Sequence, residues 1–395
     1  MRVKGLSGLT RDTSQLDVTP VELFFDLVYV FAVSQLSAHL LENPNWPGVA
    51  QTAILYLAVF TVWSHTSWAI TLTDVGRAPV WWMLLITMWL GLLMNTSISR
   101  AFSTAGWAFA LVFVILQIGR NVWLIVIPLD PVVRAHFRRY LVWVLATAPL
   151  WIVGGFLSGR VRLVLWAIAA LVDLAGSLAA HPLPGRRFVS RGVAFAGEHL
   201  LERTRLFFLI ALGETVLTTG TAVVSAGSSP LSLLSGTLAL AGSVALWWLY
   251  FHRVEGEAQR TLRSSQDPQL LGRYTIYALM VGVWSLILIA VADERVIAHP
   301  LGDAGLVTNL MLFGGPILFL AAQGCYVWIT TGKLWRTRPV GAIALAAVGA
   351  LTIFADQLTA LTAVTVVLIL LAIVDGHAGR ASADDTEEAP AATRR

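Results

Sequence analysis

The sequence predicts an all-α, polytopic transmembrane helical bundle of about twelve spans, arranged as two parallel six-helix repeats. Three observations lead there. Of the 395 residues, 57% are hydrophobic and only 13% charged, about half the charge of a soluble domain, and the mean hydropathy is +0.73. The charge falls in short stretches between apolar runs long enough to cross a hydrocarbon core of about 30 Å. The basic residues also alternate from one connection to the next, as an even number of crossings requires.

The first 19 residues are polar and form an N-terminal segment. The apolar run that follows, about 20–41, carries Glu22 and Asp26, which suits a retained anchor rather than a cleaved signal. Further runs fall at about 49–73, 80–98, 105–128, 140–157 and 161–180, completing a first repeat over 20–180. A basic linker covers 181–203. A second repeat over 204–375 has runs at about 204–224, 231–252, 274–292, 306–331, 339–356 and 358–375. The spans 140–157 and 358–375 are short enough to tilt or re-enter. Residues 376–395 are rich in Ala, Asp, Glu and Arg without apolar periodicity and read as a disordered tail.

With the N-terminus in the cytoplasm, only Arg100, Arg160, Arg162 and Arg295 of the 27 Lys and Arg fall outside, and Arg120 lies within a span. Both termini are therefore expected in the cytoplasm. Sequence pairs recur in order between the halves: Leu23-Phe24-Phe25 with Leu206-Phe207-Phe208, Trp63 with Trp247, Val122-Trp123 with Val327-Trp328, and Leu171-Val172-Asp173 with Ile373-Val374-Asp375. A duplication of an even number of spans sets both copies the same way up.

The stretch from Thr19 to Leu36 (TPVELFFDLVYVFAVSQL) resembles the opening signature of the bacterial low temperature requirement protein A family. So do Glu202-Arg203 with Leu206-Phe207-Phe208, Leu212-Gly213-Glu214-Thr215, and Leu246-Trp247-Trp248-Leu249-Tyr250-Phe251. The resemblance spans both halves. It implies a bacterial inner-membrane protein, of a family named for a cold-growth phenotype and without an established biochemical activity. His252 departs from the family pattern, which has an acidic residue there. A fainter likeness is to the endolysosomal and bacterial potassium channels built from two six-helix repeats, carried by Phe24-Phe25-Asp26, Trp63-Ser64-His65, Trp248 and His252. In that family the first helix of each repeat lines the pore.

Thr19-Pro20-Val21-Glu22 has the form of a capping box, with Thr19 at N-cap, proline at N1 and Glu22 at N3. Asp26 lies one turn deeper on the same face, about 9 Å into the span. A carboxylate at that depth costs a few kcal/mol unless paired or wetted. Arg120 and Asp173 fall about 10–12 Å from the same side, so an Asp26–Arg120–Asp173 network is expected. Glu214, with Thr218 one turn on, is the strongest single candidate for a proton or cation site. Set against these functional readings, a structural ion-pair cluster and a protonated Glu214 serving only as an interhelical hydrogen-bond donor account for the same residues.

Secondary candidates are His39 and His65 as proton carriers, Glu202 and Arg203 at the entry of the seventh span, and His252. Glu198 to Glu202 set His199 and carboxylates at helical spacing, but no second histidine follows at a matching interval, so no metal site is expected. Gly154-Gly155 and Gly314-Gly315 suit close helix contacts. Cys325 is the single cysteine, which excludes an internal disulfide. No catalytic motif or cofactor fingerprint is present, so an enzyme is not expected, nor is a nucleic-acid partner. The reading that follows is permeation of a monovalent cation, proton or small solute through a site between the repeats, with a non-transporting scaffold or membrane-adaptation factor as the alternative. The lipid bilayer is the expected environment, and a homo-oligomer is compatible with it.

Overall fold

The computed structural model describes residues 18–183, 195–252, 261, 267–303 and 305–387, the stretch 378–387 by its backbone alone. Among these residues there are twelve α-helices and no strand. They are α1 (Pro20–Glu42), α2 (Trp46–Leu72), α3 (Ala78–Thr96), α4 (Gly106–Val126), α5 (Pro131–Phe156) and α6 (Gly159–Leu178). Then follow α7 (Gly197–Ser225), α8 (Pro230–Phe251), α9 (Pro268–Ala298), α10 (Gly305–Thr331), α11 (Thr337–Leu351) and α12 (Gln357–Glu387). Eleven are long and apolar enough to span a bilayer. The exception is α11, whose 15 residues extend about 22 Å. The protein is a multi-pass membrane protein.

Helix starts follow capping chemistry rather than hydropathy. The Glu22 half of the capping box is formed, its carboxylate accepting the Thr19 backbone N–H at 2.8 Å, with Pro20 in the first turn. Asn45, Asp130 and Ser229 each accept a bond from the first turn of the helix they precede, with Pro47, Pro131 and Pro230 at its start. Several helices therefore outrun the apolar stretches. The short run at 140–157 belongs to a 26-residue helix that begins at Pro131 behind the Asp130 cap, because Arg134, His136, Arg138 and Arg139 continue the helix ahead of the hydrophobic stretch. Similarly, α12 is long enough to span, so the short element is α11. Residues 376–387, read as the start of a disordered tail, continue α12 as helix; 388–395 lie outside the described residues, as do 1–17 and the linker residues 184–194.

Side chains sort inside-out relative to a soluble protein. Large apolar groups such as Phe24, Trp82, Trp89, Phe156 and Leu217 are exposed, while Glu22, Asp26, Thr66, Asn95, Asn121 and Arg203 are fully buried. Lipid is the solvent that accepts the first set, and helix neighbours satisfy the second.

The chain divides into two compact units: Met1–Ile210 with Ser265–Met280, and Ala211–Ser264 with Val281–Arg395. In the first, α1 packs on α2 and α3, α4 on α3 and α5, and α6 on α5 and α2. A Cβ on Gly91 would stand 2.9 Å from the Tyr29 hydroxyl, and one on Gly155 2.9 Å from Ala110, so glycine sets the α1–α3 and α4–α5 approaches. In the second unit, α12 packs on α8, α10 and α11, and α10 on α11. There a Cβ on Gly315 would meet Ile289 at 2.6 Å, while Gly314 faces open space. Three of the four paired glycines thus sit at close contacts.

Candidate functional site

In the first unit, α1 carries two carboxylates one turn apart, and α7 sets a histidine beside one and an arginine beside the other. Glu22 Oε2 accepts the Thr19 backbone N–H at 2.8 Å and lies 3.1 Å from His199 Nε2. Asp26 Oδ1 accepts from Arg203 Nη2 at 2.6 Å and from Trp63 Nε1, on α2, at 2.8 Å. The Arg203 guanidinium lies over the Phe25 ring at 5.5 Å, and Phe207 packs on Trp63 at 4.4 Å between centroids. All four ionisable side chains are fully buried. Valences are left over: Asp26 Oδ2 and Arg203 Nε and Nη1 are buried without a hydrogen-bond partner. Asp26 and Trp63, two of the residues behind the fainter channel likeness, are thus in direct contact.

Arg203 was read as the last residue of a linker. Because α7 begins at Gly197, His199 and Arg203 instead stand one turn apart on its first two turns and match the spacing of Glu22 and Asp26. The i, i+4 recurrence of charge on the two segments was the sequence signal for this pairing. The expected Asp26–Arg120–Asp173 network does not form. Equal depth along a bundle axis says nothing about which way a helix faces, and the three side chains face different neighbours.

Arg120, on α4, is buried among neutral acceptors. It donates to the Val62 carbonyl (3.2 Å), Thr66 Oγ1 (2.8 Å), Gln117 Oε1 (2.6 Å) and the Tyr140 hydroxyl (3.4 Å). Asp173, on α6, accepts from Thr147 Oγ1 at 2.7 Å and Trp151 Nε1 at 3.0 Å, both on α5. In the second unit, Asp375 on α12 likewise accepts from the preceding helix, from Thr337 Oγ1 at 3.1 Å and Arg338 Nη2 at 3.2 Å. Arg162, placed by the sequence at an outer connection, is buried and folded back. It donates to the carbonyls of Ala101, Ser103, Gly154, Gly155 and Leu157.

The other candidates are dispersed. Glu214 is half-buried on the second-unit part of α7, and Thr218 bonds the Glu214 backbone carbonyl rather than its carboxylate. Thr215 meets Ser243 of α8 at 3.1 Å. His39 is buried with neither ring nitrogen hydrogen-bonded. Glu202 pairs with Arg205 at 3.2 Å, a surface contact worth little. His252 is exposed at the end of α8, stacked on Trp248 at 4.5 Å. Asp293, which the sequence placed beyond the ninth span, is buried at 3% exposure because α9 runs on to Ala298. The apolar stretch stops one residue short of it, so hydropathy gave no warning. Among the described residues no group of three His, Cys, Asp or Glu side chains could hold a metal.

His65 borders a cavity at one end of the first unit. The cavity is lined from α2, α5, α6 and α9 and is open to water centres over about 70 Å³, where one water needs about 10–15 Å³ on that measure. His65 Nε2 lies 3.0 Å from Ser177 Oγ, whose proton goes to the Asp173 carbonyl. The His65 and His181 rings stand 4.0 and 4.6 Å from Tyr140. His181 follows α6 in the left-handed region (φ 54°), as does Ala180 (φ 57°). Burial, with His136 and Arg139 nearby, holds its pKa down at about 3, so its imidazole is neutral.

The family whose sequence pattern this chain matches, over residues 17–373, is the bacterial low temperature requirement A protein (LtrA). The chain belongs to the LtrA family. It is also 33% identical over 336 residues to a protein of Rhizobium meliloti (strain 1021) named uncharacterized protein RA0937, covering 83% of this chain and 78% of that one. No solved structure matches it. The LtrA match includes all four members of the α1–α7 charge cluster.

Proposed function

We propose that this LtrA-family membrane protein mediates permeation of a monovalent cation, a proton or a small solute, by way of the buried charges on α1 and the first turns of α7. One observation carries the reading: two carboxylates, Asp26 paired with Arg203 and Glu22 beside His199, are fully buried in an apolar bundle, and the Asp26–Arg203 pair is left with open valences. A buried ion pair adds little stability over apolar residues of equal size, whereas intramembrane charges commonly mark ion and proton routes. α1 and α7 are also the first helices of the two sequence halves, which supports a duplicated lining. The basic-residue pattern supports cytoplasmic termini, and membership of the bacterial LtrA family supports a bacterial inner-membrane setting.

The test is flux. Purified protein in liposomes is assayed for K⁺, Na⁺ and H⁺ movement, beside Asp26→Asn, Glu22→Gln and Glu214→Gln. Flux that the Asp26 and Glu22 variants alter supports the reading. Absence of flux for every ion, with the variants changing stability alone, favours the competing role of a membrane scaffold or adaptation factor. That second reading draws on the same pairs, Arg203 lying 2.6 Å from Asp26 and His199 3.1 Å from Glu22.

A further inference from the structure

The cavity beside His65 has a chemistry of its own. Among the described residues its wall contains no carboxylate, which makes it a poor seat for a cation. It contains Arg273, whose hydrogen bond to the Leu178 carbonyl is long, 3.5 Å, and which has no acidic partner among the described residues. Gln269 and Arg273 come from the first two turns of α9, where the helix dipole favours negative charge; Asp267 already accepts the Leu270 N–H there at 3.1 Å. Tyr277, one turn further, adds a hydroxyl. His181 is 5% exposed with neither ring nitrogen partnered, an expense unless something else supplies the bond. The donors come from α9 and from the turn after α6, and a tetrahedral anion has oxygens for both. Phe60, Trp68 and Phe137 form an apolar wall, able to take the body of an ester.

The depth is informative too. His65 precedes the end of α2 by about 10 Å, and Arg273 follows the start of α9 by about 8 Å. The cavity therefore opens at the level of helix ends, where both lipid headgroups and dissolved solutes reach. Basic pockets among helix ends are known to hold anionic headgroups.

We propose that this cavity is an oxyanion site that binds a phosphate group through Arg273, with Tyr277, Gln269 and His181 as further donors. The phosphate belongs either to an anionic lipid headgroup or to a free phosphate or phosphate monoester. The site is separate from the α1–α7 charge cluster and does not depend on that cluster conducting.

The two sources are resolved by calorimetry and melting on the full chain. Inorganic phosphate is titrated into protein held in phosphatidylcholine nanodiscs, and melting is compared between phosphatidylcholine and phosphatidylglycerol nanodiscs. Saturable phosphate binding, weakened about tenfold or more by Arg273→Gln, supports a free ligand. Stabilisation by phosphatidylglycerol alone, lost in the same variant, supports a headgroup. Tyr277→Phe keeps the ring and should weaken binding less, which guards against a misfolded arginine variant. No saturation by phosphate together with equal melting in both lipids overturns the proposal and leaves a cavity filled by water only. Binding that persists unchanged in both Arg273→Gln and Tyr277→Phe overturns the site assignment.

Discussion

Replacing Arg203 with Gln should destabilise the protein by about 3–5 kcal/mol, the usual cost of stranding one half of a buried pair. The structure gives the reasoning. At a separation of 2.6 Å and an effective dielectric of 20, the gross attraction is about 6 kcal/mol. Desolvating both groups costs several kcal/mol each, so the pair nets little. Removing the cation forfeits the attraction but leaves the carboxylate buried, supported only by Trp63. Removing both charges in Asp26→Asn/Arg203→Gln forfeits the attraction and both desolvation costs together. The double variant should therefore lie within about 1–2 kcal/mol of the wild type, and the cycle should show a coupling of at least 2 kcal/mol. Denaturation in detergent micelles, followed by tryptophan fluorescence, measures all four corners. Additive single effects, each under 1 kcal/mol, would refute the reasoning, because they are what solvated charges give. The double variant also separates the functional readings: regained stability with lost flux is the signature of a conducting pair.

Arg120→Leu strands no carboxylate and should cost about 1–3 kcal/mol, less than Arg203→Gln in the same denaturation assay. Gly315→Leu should cost about 1–3 kcal/mol by overpacking against Ile289, whereas Gly314→Ala, facing open space, should leave the melting temperature unchanged. Asp356 caps α12 through Thr359 N–H and Oγ1, both at 2.8 Å, and Asp356→Ala should cost about 0.5–2 kcal/mol by the same melts. Those bonds hold the Asp356 carboxyl below its usual 3.8, so its contribution is present above that value and fades as pH falls beneath it. His181 behaves as follows: its folded pKa of about 3 lies below the ordinary 6.5. Stability is then full above about 6.5 and declines toward 3, because the unfolded chain takes a proton that the fold refuses. Melts between about pH 7 and pH 4 should show a shallower decline in His181→Asn, and parallel curves would contradict the assignment.

The bundle was readable because long apolar runs have few alternatives to membrane crossing, and the box at Thr19 and Glu22 carries its own local geometry. Reading failed where hydropathy was asked for helix ends. Arg203 sits just before an apolar run and Asp293 just after one, yet α7 and α9 include them, since backbone hydrogen bonding continues regardless of side-chain polarity. Partner choice was harder still. Depth along the chain gave Asp26 and Arg120 one shared coordinate, but rotation about the helix axis and neighbour identity come from packing of residues far apart in sequence. The cavity was invisible for the same reason: His65, His136, His181 and Arg273 come from separate segments, and only their assembly makes a wall.

Arg162 bears on how the molecule is built during synthesis. Its guanidinium grips the turn at Ala101 and Ser103, which precede it by 61 and 59 residues. At translation rates of about 5–20 residues per second, those carbonyls leave the ribosome some 3–12 s before the arginine that will hold them. For that interval the hairpin of α3 and α4 must persist without its clasp, and the arrival of α6 is what latches it.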